Sequence, residues 1–244
     1  MKHVELIGVE GLPEVQSGDD LGALITAHAE LRAGDIVVVA QKVVSKSEGR
    51  VVRLADVTAG EEAQRIAPNL IARPDPRMVQ VVLDESVRVL RAERVLITET
   101  AHGYVCANAG VDHSNVGEGV LTLLPLDPDA SAQRLRSRLR ELTGIEVGVV
   151  ISDTFGRPWR LGIVNVALGV VGLPALVDLR GTPDDTGQEL HATVLAVADD
   201  IASGAGLVMG KTERTPVVIA RGLTLEGSGT GRDLIRPEAE DLFR

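Results

Sequence analysis

The sequence predicts a mixed α/β fold of the α+β kind, with mixed β-sheets and flanking helices, on three observations. Short β-branched runs such as Ile36–Ala40 and Pro216–Ala220 alternate with stretches whose apolar residues recur at helical spacing. Strand-like runs crowd together between Arg88 and Leu124, which favours a mixed sheet over a doubly wound one. No G-x-G-x-x-G follows a strand, so a Rossmann dinucleotide site lacks its main signal. The 244 residues suffice for one large domain or two intertwined lobes. With only 2% aromatics, the core must be Val, Leu, Ile and Ala.

Along the chain, Asp19-Asp20 precede Leu21, Leu24, Ile25, His28 and Leu31, a one-faced helical spacing that Gly34 is expected to close. Ile36–Ala40 reads as a buried strand, and Val79–Leu83 and Arg94–Thr98 also read as strands. Ser131–Gly144 is an amphipathic helix with Leu135, Leu139 and Leu142 inside and four arginines outside. Glu146–Ile151 is the next strand, ending at Ser152-Asp153-Thr154. Thr186-x-x-Glu189 has the form of a capping box, opening a helix to about Ser203. Pro216–Ala220 is a late strand. The glycine-rich stretch Gly227–Gly231 reads as a mobile connector, with a weak alternative as an anion-cradling nest. Soft boundaries fall at Pro74-Asp-Pro76 and Pro125-Leu-Asp-Pro128.

Charge and composition exclude several function classes. A formal charge of −10 argues against a nucleic-acid partner, and the scarcity of aromatics argues against base-stacking platforms. An acidic protein that handles anionic substrates needs metal ions or a local basic cluster. The single cysteine, Cys106, permits no internal disulfide, fits a reducing cytoplasm, and reads as a small buried hydrophobe. The N-terminus is too short and charged for a signal peptide. The uncharged run Leu161–Val177 reads as buried strands and turns rather than a membrane span, so the protein is expected to be soluble.

Two motifs are tempting and weak. Ala205-Gly-Leu-Val-Met-Gly-Lys-Thr212 nearly spells a Walker A loop, but it follows a helix and leads into a strand, and its centre is bulky. His102 and His113 form no zinc-ligand spacing, and no G-x-S-x-G elbow supports acyl-enzyme chemistry.

The chemistry concentrates at two aspartates. Asn108, Asp112, Ser114 and Asn115 offer hard oxygen ligands within eight residues, with Gly110 permitting a bend. Asp153 and Thr154 pair a carboxylate with a hydroxyl at a strand end, and Arg157 and Arg160 supply charge for a transferred phosphoryl group. Lys42 and Lys46 follow the Ile36 strand, where phosphate-contacting lysines often stand and where solvated surface lysines are equally common. Residues alone thus reach metal-assisted phosphoryl chemistry, against a bland reading in which each aspartate merely caps a turn.

Gly-Leu-Pro-Glu14, Gln-Lys-Val-Val-Ser-Lys46, Glu-Thr-Ala-His-Gly-Tyr-Val-Cys-Ala-Asn-Ala-Gly-Val-Asp112-x-x-Asn115 and Ser-Asp153-Thr-Phe-Gly-Arg-Pro-Trp-Arg160 together resemble the coenzyme F420-0:L-glutamate ligases. With Leu-Val-Met-Gly210 and Pro-Val-Val-Ile219 these motifs span nearly the whole chain. The resemblance implies a family-specific mixed fold, an intertwined homodimer, and GTP-dependent joining of L-glutamate to a deazaflavin precursor through an acyl phosphate, releasing GDP and phosphate and then extending a γ-linked poly-glutamate tail. It implies Mg²⁺ or Mn²⁺, two divalent ions, and leaves room for a monovalent cation. It assigns Asp112, Asp153 and Thr154 to metal, and catalytic roles to Asp112, Asp153 and Arg157. Nucleotide contacts fall to Leu12, Pro13, Glu14, Val15, Gln41, Lys46, Asn115, Met209, Gly210 and Lys211. Archaeal relatives are expected to carry Gln where Lys211 stands; an ammonium cannot ligate a metal, so a phosphate contact is the expectation here. The residues from Arg236 to Arg244 are similar to a junction after which actinobacterial relatives carry a nitroreductase-like, flavin-binding domain. Two other classes stay open: a metal-dependent phosphatase or nucleotide hydrolase, and a non-enzymatic module whose motifs only cap strands.

Overall fold

A computed structural model describes residues 3–113 and 117–241. Strand β1 (Glu5–Gly8) leads to helix α1 (Leu21–His28), whose N-terminus is capped by Asp20 accepting from Ala23 N–H. The helix stops at Ala29, so Gly34 does not close it; Gly34 instead turns the chain at φ +84° into the next strand. Leu31 is still buried, from an extended segment. Then come β2 (Ile36–Ala40), α2 (Gln41–Ser47) and β3 (Val51–Arg53), followed by α3 (Glu61–Ile66) and α4 (Pro76–Asp84).

Helix α4 corrects the expected strand at Val79–Leu83. Its valines have strand propensity, but Asp75 caps the turn by accepting from Arg77 N–H, Pro76 takes the first helical position, and Val79 and Val82 fall on one buried face. Strands β4 (Ser86–Glu93), β5 (Val95–Thr100) and β6 (Val105–Ala107) form an antiparallel sheet in that order, and β3 pairs with β7 (Val120–Thr122). These elements surround a core of Ile66, Val79, Leu96 and Leu121.

Helix α5 (Pro128–Thr143) buries Leu135 and Leu139 as expected, but Leu142, in its last turn, is 41% exposed. Strand β8 (Gly148–Gly156) runs through Ser152-Asp153-Thr154 rather than ending there, with a register shift at Ile151/Ser152. It pairs with β9 (Ile163–Val171), which confirms strand rather than span for the uncharged run; among the described residues no helix is long and apolar enough to cross a membrane. Short strands β10 (Val177–Asp178) and β11 (Val194–Leu195) precede α6 (Val197–Met209) and β12 (Val217–Arg221).

The helix expected from Thr186 therefore begins only at Val197. Asp184 Oδ1 accepts from Thr186 N–H, Thr186 Oγ1 and Gln188 N–H, a local turn that competes with helix nucleation. The five-stranded sheet has the order β1-β12-β2-β8-β9, parallel only between β2 and β8, and is thus mixed. Val37 and Val39 join the core on one face with α1 and α5; Ile36 and Val38 face α6 on the other. That two-sided burial explains why β2 is continuously apolar.

The Gly227–Gly231 stretch is a packed strap, not a loose connector. A Cβ on Gly231 would stand 1.8 Å from Leu168 O. Asp129 Oδ1 accepts from Gly231 N–H at 2.6 Å, and Thr230 and Asp233 form a capping box.

Candidate functional site

The sheet and the β3–β7 region together wall a cleft of about 2270 Å³. The parallel β2–β8 pair explains how residues distant in sequence meet there. Its register sets Ala40 beside Ser152, so the chain leaving β2 delivers Gln41 and Lys42 next to Asp153 and Thr154. From the other side, an isolated bridge between Asp112 and Thr122 presents Asp112, after Asn108 and Ala109 have taken positive φ. Asp112, Asp153, Thr154 and Arg157 all line the cleft, so the two aspartate motifs converge.

Their electrostatics differ. Lys42 Nζ lies 2.7 Å from Asp112 Oδ2. The Asp153 carboxyl is pushed up to about 6, first by burial, against a Thr154 N–H bond that lowers it and with the Asp112 charge raising it. Lys211 and Lys42 act on it in the lowering direction. Burial also pushes the Cys106 thiol up to about 12, with the Asp153 charge adding, so Cys106 is the inert buried group expected of it.

Thr154 is held by a short relay. Its register partner on β9 is Asn165, and Thr154 Oγ1 donates to Asn165 Oδ1 at 3.0 Å. Asn165 Nδ2 points to Met209 Sδ at 3.6 Å, and Lys211 Nζ donates to Thr154 Oγ1. The hydroxyl proton is thereby committed to Asn165, one lone pair to Lys211, and one lone pair is left. Lys211 bonds Thr154 here, from a chain that turns at Gly210 (φ +57°) out of α6 and not out of a P-loop.

The expected nucleotide contacts also line the cleft, each differently engaged. Leu12 and Pro13 belong to its wall, whereas Val15 is buried at 5% exposure, so only its backbone can serve a ligand. Glu14 is ion-paired with Lys46. Gln41 is buried, its Oε1 accepting from Ser45 Oγ at 2.8 Å. Met209, Gly210 and Lys211 close the end nearest Thr154. Arg157 Nη2 donates to Leu161 O within the β8–β9 turn, and its Nε is buried without a hydrogen-bond partner among the described residues. Asn115, like Ser114, lies outside the described residues. His102 stacks on Tyr104 and points Nε2 at the Pro125 and Leu126 carbonyls, away from any ligand role.

A hard divalent cation fits this donor set. Two carboxylates and a hydroxyl are all oxygen, and desolvation of the half-buried Asp153 carboxyl exceeds what its one backbone partner offsets. Among the described residues no group of three or more His, Cys, Asp or Glu forms a closed cage. Such an ion would therefore share its shell with water and substrate phosphate, as Mg²⁺ does.

Sequence reasoning missed Asn165 as a site residue, although it is the one strongly polar residue in the run from Leu161 to Val177 and hairpin register would have paired it with Thr154. It also missed Arg53, Arg91, Arg94, Trp159 and Arg214, which line the cleft without any motif spacing.

The sequence model of the family described as F420-0:Gamma-glutamyl ligase matches residues 11–222. A protein of Archaeoglobus fulgidus named coenzyme F420:L-glutamate ligase is 46% identical over 243 residues, covering 99% of this chain and 97% of the relative. Relatives of the same name from Methanopyrus kandleri and Methanocaldococcus jannaschii are 47% and 44% identical, covering all of this chain and 100% and 98% of their own.

Proposed function

This chain belongs to the F420-0:gamma-glutamyl ligase family, and from that premise we propose that it joins L-glutamate to the carboxylate of coenzyme F420-0 at the expense of GTP. The observation that carries the chemistry is the convergence of Asp112, Asp153 and Thr154 with Lys42, Lys46 and Lys211 in one cleft. A carboxylate is a poor electrophile. Its oxygen attacks the γ-phosphorus of GTP, GDP leaves, and an acyl phosphate results. The glutamate amine then attacks the acyl carbon, phosphate departs, and the amine loses a proton.

In this reading Asp112, Asp153 and the free lone pair of Thr154 hold Mg²⁺ or Mn²⁺, which neutralises phosphate charge. Lys211 and Lys46 contact phosphate oxygens, with Arg157 against the transferring group and the Leu12–Val15 turn and Gln41 against the nucleotide. A homodimer belongs to the same reading, supported by the exposed Trp159, Leu161 and Ile163 on the β8–β9 hairpin. The phosphatase reading gains nothing from relatives named as ligases.

Purified protein with GTP, Mg²⁺ or Mn²⁺, glutamate and F420-0 is expected to yield a product heavier by one or more glutamyl units in mass spectrometry. GTP consumption that needs neither glutamate nor F420-0 would instead indicate a hydrolase. Asn165→Leu frees the Thr154 proton to rotate toward the cation, so a loss of about 10–100-fold in Mn²⁺ affinity is expected. A calorimetric titration matching wild type would remove Asn165 from the site.

A further inference from the structure

The cleft inverts the charge of the protein around it. Whole-chain acids outnumber bases, 35 to 25, yet eight Lys and Arg line the cleft against four Asp and Glu. Three of those cations, Lys42, Lys46 and Lys211, are engaged with Asp112, Glu14 and Thr154.

The five cleft arginines are different. Among the described residues, Arg53, Arg91, Arg94, Arg157 and Arg214 have no carboxylate partner; of the other described arginines eleven pair with Asp or Glu, and Arg32, Arg73, Arg160 and Arg236, outside the cleft, do not. Guanidinium groups left without anions, inside a cleft of an acidic protein, are placed for an anion that arrives from outside.

Arg157 and Arg214 flank the aspartate and Lys211 end. The other three come from separate strands: Arg53 ends β3, Arg91 is on β4, and Arg94 is the single residue between β4 and β5. Around them Leu90, Val95 and Ile97 give the cleft an apolar lining. Arg94 also holds φ +63°, a left-handed conformation that Gly or Asn adopts at lower cost. Arg214, at φ +55°, is a second cleft arginine in this left-handed region, and Arg73, at φ +43°, adopts it outside the cleft.

We infer that Arg53, Arg91 and Arg94 form a subsite for the carboxylates of the γ-glutamyl tail carried by the acceptor. The inference rests on the ligase reading. A γ-linked glutamate leaves its α-carboxylate free, so each addition places one more negative charge on the tail, spaced by methylenes. Guanidinium groups interleaved with apolar side chains match that alternation, and they bind carboxylates two-pronged. The subsite senses tail length: acceptors that already carry glutamates are held more tightly, and the terminal carboxylate is presented to the aspartate end.

The test compares wild type with Arg94→Gly and with Arg53→Gln/Arg91→Gln. KM is measured for acceptors carrying zero, one and two γ-glutamates, and calorimetry follows binding of free tri-γ-glutamate without nucleotide. Wild-type KM should fall as the tail lengthens. The variants should lose that dependence, with KM for the two-glutamate acceptor about tenfold higher and KM for GTP unchanged. Arg94→Gly should keep or raise the thermal midpoint, because glycine is at ease at this φ, so misfolding cannot mimic the effect. Variants that retain the tail-length dependence overturn the subsite, as does a rise confined to KM for GTP. Wild type that makes no glutamylated product with any acceptor overturns the ligase reading instead, and tri-γ-glutamate binding weakened in the variants would still uphold the subsite.

Discussion

Replacing Asp153 by Asn is expected to lower glutamate ligation about a thousandfold, roughly 4 kcal/mol of transition-state stabilisation, while raising the unfolding midpoint of the metal-free protein. The two effects share one cause. The side chain keeps its shape but loses the charge that attracts a cation. That same charge is poorly accommodated in the metal-free fold, where burial pushes the carboxyl up to about 6 from an ordinary value of 3.8. A carboxyl whose folded pKa lies above its unfolded one costs stability once it ionises. The penalty is absent below about pH 4, grows as pH rises through 6, and is then constant, at most about 3 kcal/mol for a shift of this size. The midpoint advantage of the amide variant should therefore be present at pH 7 and fade towards pH 4. Saturating Mn²⁺ should raise the wild-type midpoint and leave that of the variant unmoved. Near-normal turnover, or a variant that melts below wild type at pH 7 without metal, would detach Asp153 from cation binding. On the ligase reading the trade is one of stability against activity: a carboxylate placed for a cation costs folding free energy.

The parts of this fold that could be read from sequence are those where one physical signal dominates. Strand β2, and β12 up to its last residue Arg221, are apolar because both faces of the sheet are covered, and α5 carries a cap, a stripe and a closing Gly144. Where two signals compete, local reading fails. At Val79–Leu83 β-branched propensity loses to the Asp75-Pro76 start, and at Thr186 a capping pattern loses to a turn organised by Asp184. The aspartate motifs were legible because oxygen donors gather near each in sequence. That they meet is a matter of β2–β8 register and of the Asp112–Thr122 bridge, which no local pattern encodes. Arg53, Arg91 and Arg94 were illegible for a related reason. An arginine in a strand or turn looks like solvated surface until the fold sets it in the wall of a cleft.

Arg221→Met is expected to cost about 3–5 kcal/mol of stability at pH 7, far more than loss of an exposed pair such as Arg65–Glu62. Asp35 is 1% exposed and receives both Arg221 Nε and Nη2 at 2.8 Å, together with Arg32 N–H at 2.7 Å. The pair ties the turn before β2 to the end of β12, at one end of the five-stranded sheet. Burial raises the Asp35 carboxyl, but the Arg221 bonds and the Arg32 N–H outweigh it, so its pKa falls below 3.8. A lowered folded pKa means that the contribution exists above the unfolded value and is lost only as pH falls through the folded one, below about 4. Without the guanidinium, burial is left to act and the carboxyl rises. The deficit of Arg221→Met should then shrink as pH drops from 7 towards 4, because the stranded group takes up a proton. Adding Asp35→Asn, which still accepts from Arg32 N–H but needs no counter-charge, should recover most of the loss. Chemical denaturation of the two variants across that pH range checks all three steps. A deficit that is small, or that grows in acid, would mean that the sheet end is held by packing alone.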